Sequence, residues 1–543
     1  MKLHTLLFLT AYGLVTNGFL LHDESGLEEP DATAKGPTIE RRQQKIRGLG
    51  VGYGDRFKGG EIKPKGLGER RGPSGLDKIL NVEEVESALK GLRKKYPDKL
   101  EFSPAEKKTF ENRTIFVASV GTESARKNPR VFLTGGMHGD ERGGSDNLIY
   151  FVSDLLWAEA NQAGLSYGQN TYSAEEVKKA FSVGIKFIPL VNPDGTAYDH
   201  KTNRCWRKNR NAANSSGEKF GVDINRNFVV FEDRKRLLGK DSSVFSGANV
   251  PSTSMYPGPE PGSEPETQAV SEILHNTPSL SWYMDLHSSL GKILYAWGID
   301  RSQTDRPEQS FTNKTYDGQR GLRDDQRDGE YKEYIEKDDL EVQKSVTQQM
   351  AEAMSKGRSK PTWPEYSTKE AVEIYVALGS SDEAMVGYYG KKCGANRIHG
   401  LTLEFGDTKR GDCSGKHPTA ELYKQNVEQT AVGMMELLLR ASTKDGEPKL
   451  WRCEDQKEAA GPAEGSGPQK GNGASASQSE GPPKTGNGGS SSRPEQPQTD
   501  SDDCINEEDL KQEAPERQKG TGASRPRPKR PQEDKGRIVF HNK

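Results

Sequence analysis

The stretch RVFLTGGMHGDERGGSDNLIYFVSDLLWAEA, residues 130–160, runs through three patterns in succession. An apolar run ending in paired glycines reads as a buried strand. A glycine-punctuated loop follows, carrying His138, Asp140 and Glu141. Beyond Gly144 the residues take a helical spacing. A strand that hands its loop to a helix is the unit of an α/β sheet, and ligands of such sheets collect at the strands' carboxyl edge. An imidazole and a carboxylate three residues apart suggest metal ligation. Two ligands seldom hold a catalytic ion, however, and on the order of one His-x-x-Glu match arises by chance in a chain of this length. The site needs a third donor from elsewhere.

Outward from this unit the same alternation continues. NVEEVESALKGLRKKYP, from Asn81, places Val82, Val85, Leu89 and Leu92 at helical spacing behind an asparagine cap. RTIFVASV and GIKFIPLVNPDG read as strands, the second ending in a turn. TQAVSEILHN reads as a helix, SWYMDLHSS and KILYAWG as strands. LEVQKSVTQQMAEAMSK is helical, HGLTLEFGD a strand, and ELYKQNVEQTAVGMMELLLRA a closing helix. The order predicts an α/β fold, a mixed parallel and antiparallel twisted sheet with helices on both faces.

Composition bounds the rest. Of 543 residues only 31% are hydrophobic and 29% are charged, with 59 glycines and 30 prolines, so part of the chain lies outside any packed core. A net charge of −2 supplies no general attraction to nucleic acid or anionic membranes. Lys2, the apolar run Leu6 to Val15 and the small residues Thr16 and Gly18 form a secretory signal peptide pattern over residues 1–18, with an apolar run too short for a bilayer span. Residues 19–77 read as a flexible basic, glycine-rich leader, either a propeptide cut at Arg41-Arg42 or Arg70-Arg71 or an unprocessed arm. The periodic region covers 78–442, with a charged surface insertion at 300–338, and no later run has transmembrane length. Residues 443–543 read as a disordered tail. In it RPRPKR, residues 525–530, offers either a weak polyanion contact or a solvated spacer. Cys393 and Cys413 bracket a strand candidate and are a possible bridge, leaving Cys205, Cys453 and Cys504 as an odd set. Sequons stand at Asn112, Asn214 and Asn313.

The third donor has a candidate in His287, which closes the apolar strand of YMDLHSSLG. Two histidines and a glutamate with one position left open make a catalytic zinc set. Glu404, ending the strand of LTLEFGD, could take and return a proton beside such a centre.

With these motifs in order, the HxxE pair, NPDGTAYDHKTNRCWRKNR, GVDINRNF, LHSS, EIYVALGSSD and LTLEFGD, the region 78–442 resembles the zinc carboxypeptidases of the carboxypeptidase A/B type. The resemblance implies Zn2+ held by His138, Glu141 and His287, with Glu404 as catalytic carboxylate and Arg207 as oxyanion stabiliser. It implies that Asn225 and Arg226 grip the substrate's terminal carboxylate, that Tyr375 closes over it, and that Asp223 orients a ligating histidine. Counting without gaps from Tyr375 puts Asp382 at the floor of the specificity pocket, favouring basic C-terminal residues; a one-residue gap puts Ser381 there. The implied protein is secreted and removes C-terminal residues from peptides and proteins. A degenerate relative kept as a binding protein and a zinc amidase on cell-wall peptides are the alternatives. Two departures are local: Asp140 stands where these enzymes commonly have arginine, and Ser289 where tyrosine is frequent.

Overall fold

The structure, a computed structural model, describes residues 48–69, 76–213, 220–230, 234–242, 244, 251–322, 331–409 and 412–452. The signal-peptide segment, both dibasic pairs, Asn214 and residues 525–530 lie outside them.

Helix α1 (Val82–Lys95) leads into strands β1 (Leu100–Lys108) and β2 (Thr114–Val120), and α2 (Glu123–Lys127) turns the chain into β3 (Val131–Gly135) and α3 (Gly144–Asn161). A small hairpin, β4 (Leu165–Tyr167) and β5 (Asn170–Tyr172), precedes α4 (Ala174–Ser182), β6 (Ile185–Ile188) and α5 (Pro193–Thr202). The short α6 (Arg234–Leu237) and α7 (Pro265–Asn276) come before β7 (Trp282–Ser288) and β8 (Lys292–Tyr295). The two-residue strands β9 (Ser302–Gln303) and β10 (Glu333–Tyr334) flank an insertion. Then follow α8 (Lys337–Lys356), β11 (Ser367–Glu370), α9 (Ser380–Tyr389), β12 (His399–Phe405) and α10 (Ala420–Ala441).

Among the described residues, eight strands form one sheet in the order β1-β2-β6-β3-β7-β12-β8-β11. The central run β6, β3, β7 and β12 is parallel, while β2 on one side and β8 with β11 on the other run against it. This is the mixed sheet that the alternation predicts. The central strands β3, β7 and β12 are mostly apolar because both of their faces are covered. Val131 and Leu133 pack with α1, α3, α4, α8 and α10 on one face, and Phe132 between them packs with α7 and α9 on the other. The same period of two divides Trp282, Met284 and Leu286 from Tyr283.

Two segments read from composition as peripheral are packed. Within the leader, Val51 pairs with Ile79, Phe57 is buried, and the Arg56 guanidinium forks onto the fully buried Glu84 of α1. The amides of Gly68 and Glu69 donate to the buried Asp154 of α3 at 2.8 and 3.0 Å. The insertion folds around the fully buried Arg320, which donates to Ser310 O, Asn313 O, the Tyr331 hydroxyl and Asp317.

The cysteine expectation is corrected. Cys413 is bonded to Cys205, with Cα atoms 5.8 Å apart, not to Cys393. Cys393 precedes β12 and Cys413 follows it, and a seven-residue strand spans about 20 Å, far beyond disulfide reach. Cys393 is itself disulfide-bonded.

Candidate active site

Parallel β3, β7 and β12 all end at the same sheet edge, and their C-terminal residues and following loops converge there. His287 sits near the end of β7, and register pairs it directly with Glu404 on β12. His138 and Glu141 lie on the loop after β3, one helical turn apart and both buried. That loop is tightly wedged: a Cβ on Gly139 would stand 2.4 Å from Gly195 C and 2.6 Å from Trp206 O, backbone atoms that cannot move aside.

The three donors face one another. His138 Nδ1 lies 2.9 Å from Glu141 Oε1, His287 Nδ1 lies 2.9 Å from Glu141 Oε2, and the two Nδ1 atoms are 3.1 Å apart. Behind them, His138 Nε2 lies 3.1 Å from Asp223 Oδ1 and His287 Nε2 2.7 Å from Asp285 Oδ2. A neutral imidazole has one N–H, so it cannot donate to carboxylates at both nitrogens. Donation to the rear carboxylates leaves two Nδ1 lone pairs and the Glu141 oxygens aimed at one point, which suits a divalent cation. Zinc bonds of about 2.0–2.1 Å would require the donors to spread by only a few tenths of an ångström. Burial alone would raise the Glu141 carboxyl, but the two imidazoles hold it well below the usual carboxylate range.

The other predicted residues surround this set. Asp223 is fully buried and bridges His138 to Arg207, whose Nε donates to Asp223 Oδ2 at 2.9 Å and whose Nη1 reaches Glu141 Oε1 at 3.4 Å. Burial opposes ionisation of Asp223, but Arg207 first and His138 next keep it charged. Glu404 is half-buried and, among the described residues, its carboxylate has no hydrogen-bond partner. Burial first, then the charge of Glu141, push it above the ordinary glutamate value. On the far side of His287, the Asn225 amide nitrogen is 3.2 Å from His287 Nε2 and its oxygen accepts from Ser380 N. Arg226 donates to the Tyr375 hydroxyl at 3.1 Å, and Tyr375 itself is half-exposed. Asp382 is buried in the first turn of α9, accepting from Gly298 N at 2.9 Å and Gly379 N at 3.3 Å. Burial pushes it up to about 6.

Sequence reasoning missed two participants. Asp285 lies two residues before His287, and residues i and i+2 of a strand share a face, so the spacing could have found it. Lys416 carried no signal: its Nζ meets Asp140 Oδ2 at 2.9 Å across 276 residues of chain and stands 4.0 Å from Glu141 Oε1.

Among known proteins, a family profile described as zinc carboxypeptidase matches residues 85–432. Carboxypeptidase B2 of Bos taurus is 25% identical over 244 residues, 45% of this chain and 52% of that protein. Carboxypeptidase B of Bos taurus is 30% identical over 225 residues, 41% of this chain and 48% of that protein. The matches span about half the length of these relatives. A crystal structure of carboxypeptidase A from Helicoverpa armigera superposes with a TM-score of 0.49 at 20% identity, over 72% of this chain and 79% of that one. The profile takes in β3, β7, β12 and every donor around their edge, and the chain belongs to the zinc carboxypeptidase family.

Proposed function

We propose that this protein is a zinc-dependent carboxypeptidase that hydrolyses the last peptide bond of peptides and proteins. The observation that carries the reading is the convergence of His138, Glu141 and His287 beside a half-buried, unpartnered Glu404, with Arg226 and Asn225 on the adjoining wall. A zinc ion held by the three donors would supply Lewis-acid polarisation of the scissile carbonyl and acidify a water. Arg226 holds the substrate's terminal carboxylate through its planar fork, with Asn225 beside it, so only a chain end fits. Tyr375, half-exposed and already in contact with Arg226, covers the bound residue. Glu404 takes the proton of the attacking water and passes it to the leaving amine as the C–N bond breaks. Arg207, its charge fixed by Asp223, stabilises the oxyanion on the carbonyl oxygen.

Asp382 gives the pocket a preference for C-terminal lysine or arginine. Support comes from its buried carboxylate, from the nearby Arg226 and from relatives named carboxypeptidase B. Secretion is supported by the pattern of residues 1–18 and by the absence, among the described residues, of any helix long and apolar enough to cross a membrane.

A peptide panel with varied final residues tests the reading. Free amino acid should be released fastest from basic ends, and Asp382→Asn should erase that order. Glu404→Gln should lower kcat about 10²–10⁴-fold. Metal-free protein should be inactive and regain turnover with added zinc. Undiminished hydrolysis by Glu404→Gln would overturn the mechanism, and a preference for aromatic ends would overturn the role of Asp382.

A further inference from the structure

Beside the metal donors, and not part of them, lies a second cluster of nucleophilic and titratable side chains. The Cys205–Cys413 bridge joins the loop carrying Arg207 to the turn carrying Lys416. His417 Nδ1 stands 3.4 Å from Cys413 Sγ, and its Nε2 lies 3.2 Å from Asp199 Oδ2. Sulfur, imidazole and carboxylate therefore stand next to one another, in the order that activates a thiol, the imidazole meeting the carboxylate as a charge contact and not as an aligned hydrogen bond. Asp199 is fixed from several sides: Arg142 Nε donates to it at 2.7 Å and Trp206 N at 3.0 Å. Both half-cystines occupy left-handed backbone, φ 56° at Cys205 and 53° at Cys413, and Ser414 follows at 57°. For L-residues with a Cβ that region is strained, and strain of this kind persists where surroundings enforce it. Both cysteines are only half-buried, so a small reagent can reach them.

We propose that Cys205–Cys413 is a thiol–disulfide exchange site for dithiols, activated by His417 and Asp199, whose state sets how firmly Arg207 is held. A thiolate of the dithiol attacks Cys205 Sγ, the Sγ–Sγ bond breaks, and its electron pair leaves on Cys413 Sγ beside His417. The second thiol of the reagent then attacks its own sulfur in the mixed disulfide and releases Cys205. Two electrons and two protons pass to the cysteines, and the dithiol departs as a disulfide. Strained, accessible bridges with a stabilised leaving thiolate are the ones that exchange.

The turn bearing Cys413 is tied to the loops that carry the site. Lys416 O accepts from Arg142 N, Ser414 O accepts from the Ser289 hydroxyl, and Arg207 O accepts from Gly139 N between the first two donors. Opening the bridge removes the covalent tie between these loops and leaves only such hydrogen bonds. The consequence for turnover rests on the carboxypeptidase reading; the exchange itself does not.

Full-length protein is incubated natively with dithiothreitol, sampled over time, alkylated and mapped by mass spectrometry, with zinc content and kcat/KM measured on the same samples. Cys205 and Cys413 should be alkylated about tenfold faster than Cys393, and His417→Gln should slow them about tenfold. At constant zinc content kcat/KM should fall about tenfold and return on reoxidation. A bridge reduced no faster than that of Cys393 overturns the proposal, also when His417→Gln fails to fold. Equal rates in a folded His417→Gln protein overturn the role of the imidazole. Reduction with unchanged kcat/KM overturns the coupling to Arg207. A wild type without peptidase activity overturns the proposed function, while the alkylation rates still decide the exchange site.

Discussion

Each imidazole at the donor cluster is backed by its own carboxylate, and the two carboxylates do different work. Asp223 also carries Arg207, so its loss would disturb His138 and the proposed oxyanion contact together. Asp285 serves His287, held in place by the Thr134 and Ser380 hydroxyls at 2.7 and 2.8 Å. An acceptor behind a ligating histidine fixes its tautomer and raises its basicity. Asp285→Asn should therefore weaken zinc binding about 10–100-fold. Competition against a chelator, read by metal content, checks this without reference to turnover, and unchanged affinity would count against the assignment. The donors His138, Glu141 and His287 were legible because each follows an apolar run at a strand end. Asp285 had a legible spacing that went unused. The Asp140–Lys416 pair was not legible, because it depends on how two loops far apart in sequence come to meet.

Among the elements, α1 was readable to its cap: Asn81 Oδ1 accepts from Glu84 N at 3.0 Å while Glu84 Oε2 accepts from Asn81 N at 3.0 Å. The strap of residues 48–69 was not, since periodicity detects apolar stripes and this segment joins scattered apolar residues, Leu49, Val51, Phe57 and Leu67, with polar ties. The insertion escaped for the same reason, its centre being an arginine among carbonyls. The strap's hold can be measured. Arg56→Ala would leave Glu84, fully buried, without its cation, whereas Arg56 is 29% exposed. Removing one partner of a buried pair costs about 3–5 kcal/mol, and partial exposure of the arginine brings the expectation to about 2 kcal/mol. Urea denaturation should show that loss, and adding Glu84→Gln should recover part of it, because no bare charge then remains inside. A double variant less stable than Arg56→Ala would show that packing, not charge, fastens the strap.

At the scale of the whole molecule, one sheet with an apolar layer on each face explains why the fold was legible: strands buried on both sides are continuous apolar runs. The same burial leaves acids inside. It pushes Asp146 and Asp154 up to about 6, Glu333 and Glu383 up to about 7, and Glu266 up to about 8. A carboxyl whose folded value exceeds its unfolded one binds its proton more tightly when folded. Its contribution to stability is complete below the unfolded value and is lost as pH rises through the folded one. Glu266 has the widest window of these. Burial is the main cause, with Glu264 adding to it and Asn209 opposing. Between about pH 5 and 8 such a group lowers unfolding free energy by roughly 1.4 kcal/mol per pH unit. His200, which burial pushes down to about 3, acts with the opposite sign below its ordinary value, as does every depressed acid at lower pH. Those terms are common to wild type and Glu266→Gln and cancel in their difference. Glutamine keeps the shape and cannot ionise, so the variant should lose stability less steeply than wild type from pH 5 to 8 and be the more stable at pH 9. Urea midpoints at pH 5, 6.5, 8 and 9 measure both slopes. Parallel slopes would mean that Glu266 is ionised in the folded protein throughout and that its neighbours, Asn209 foremost, compensate the charge.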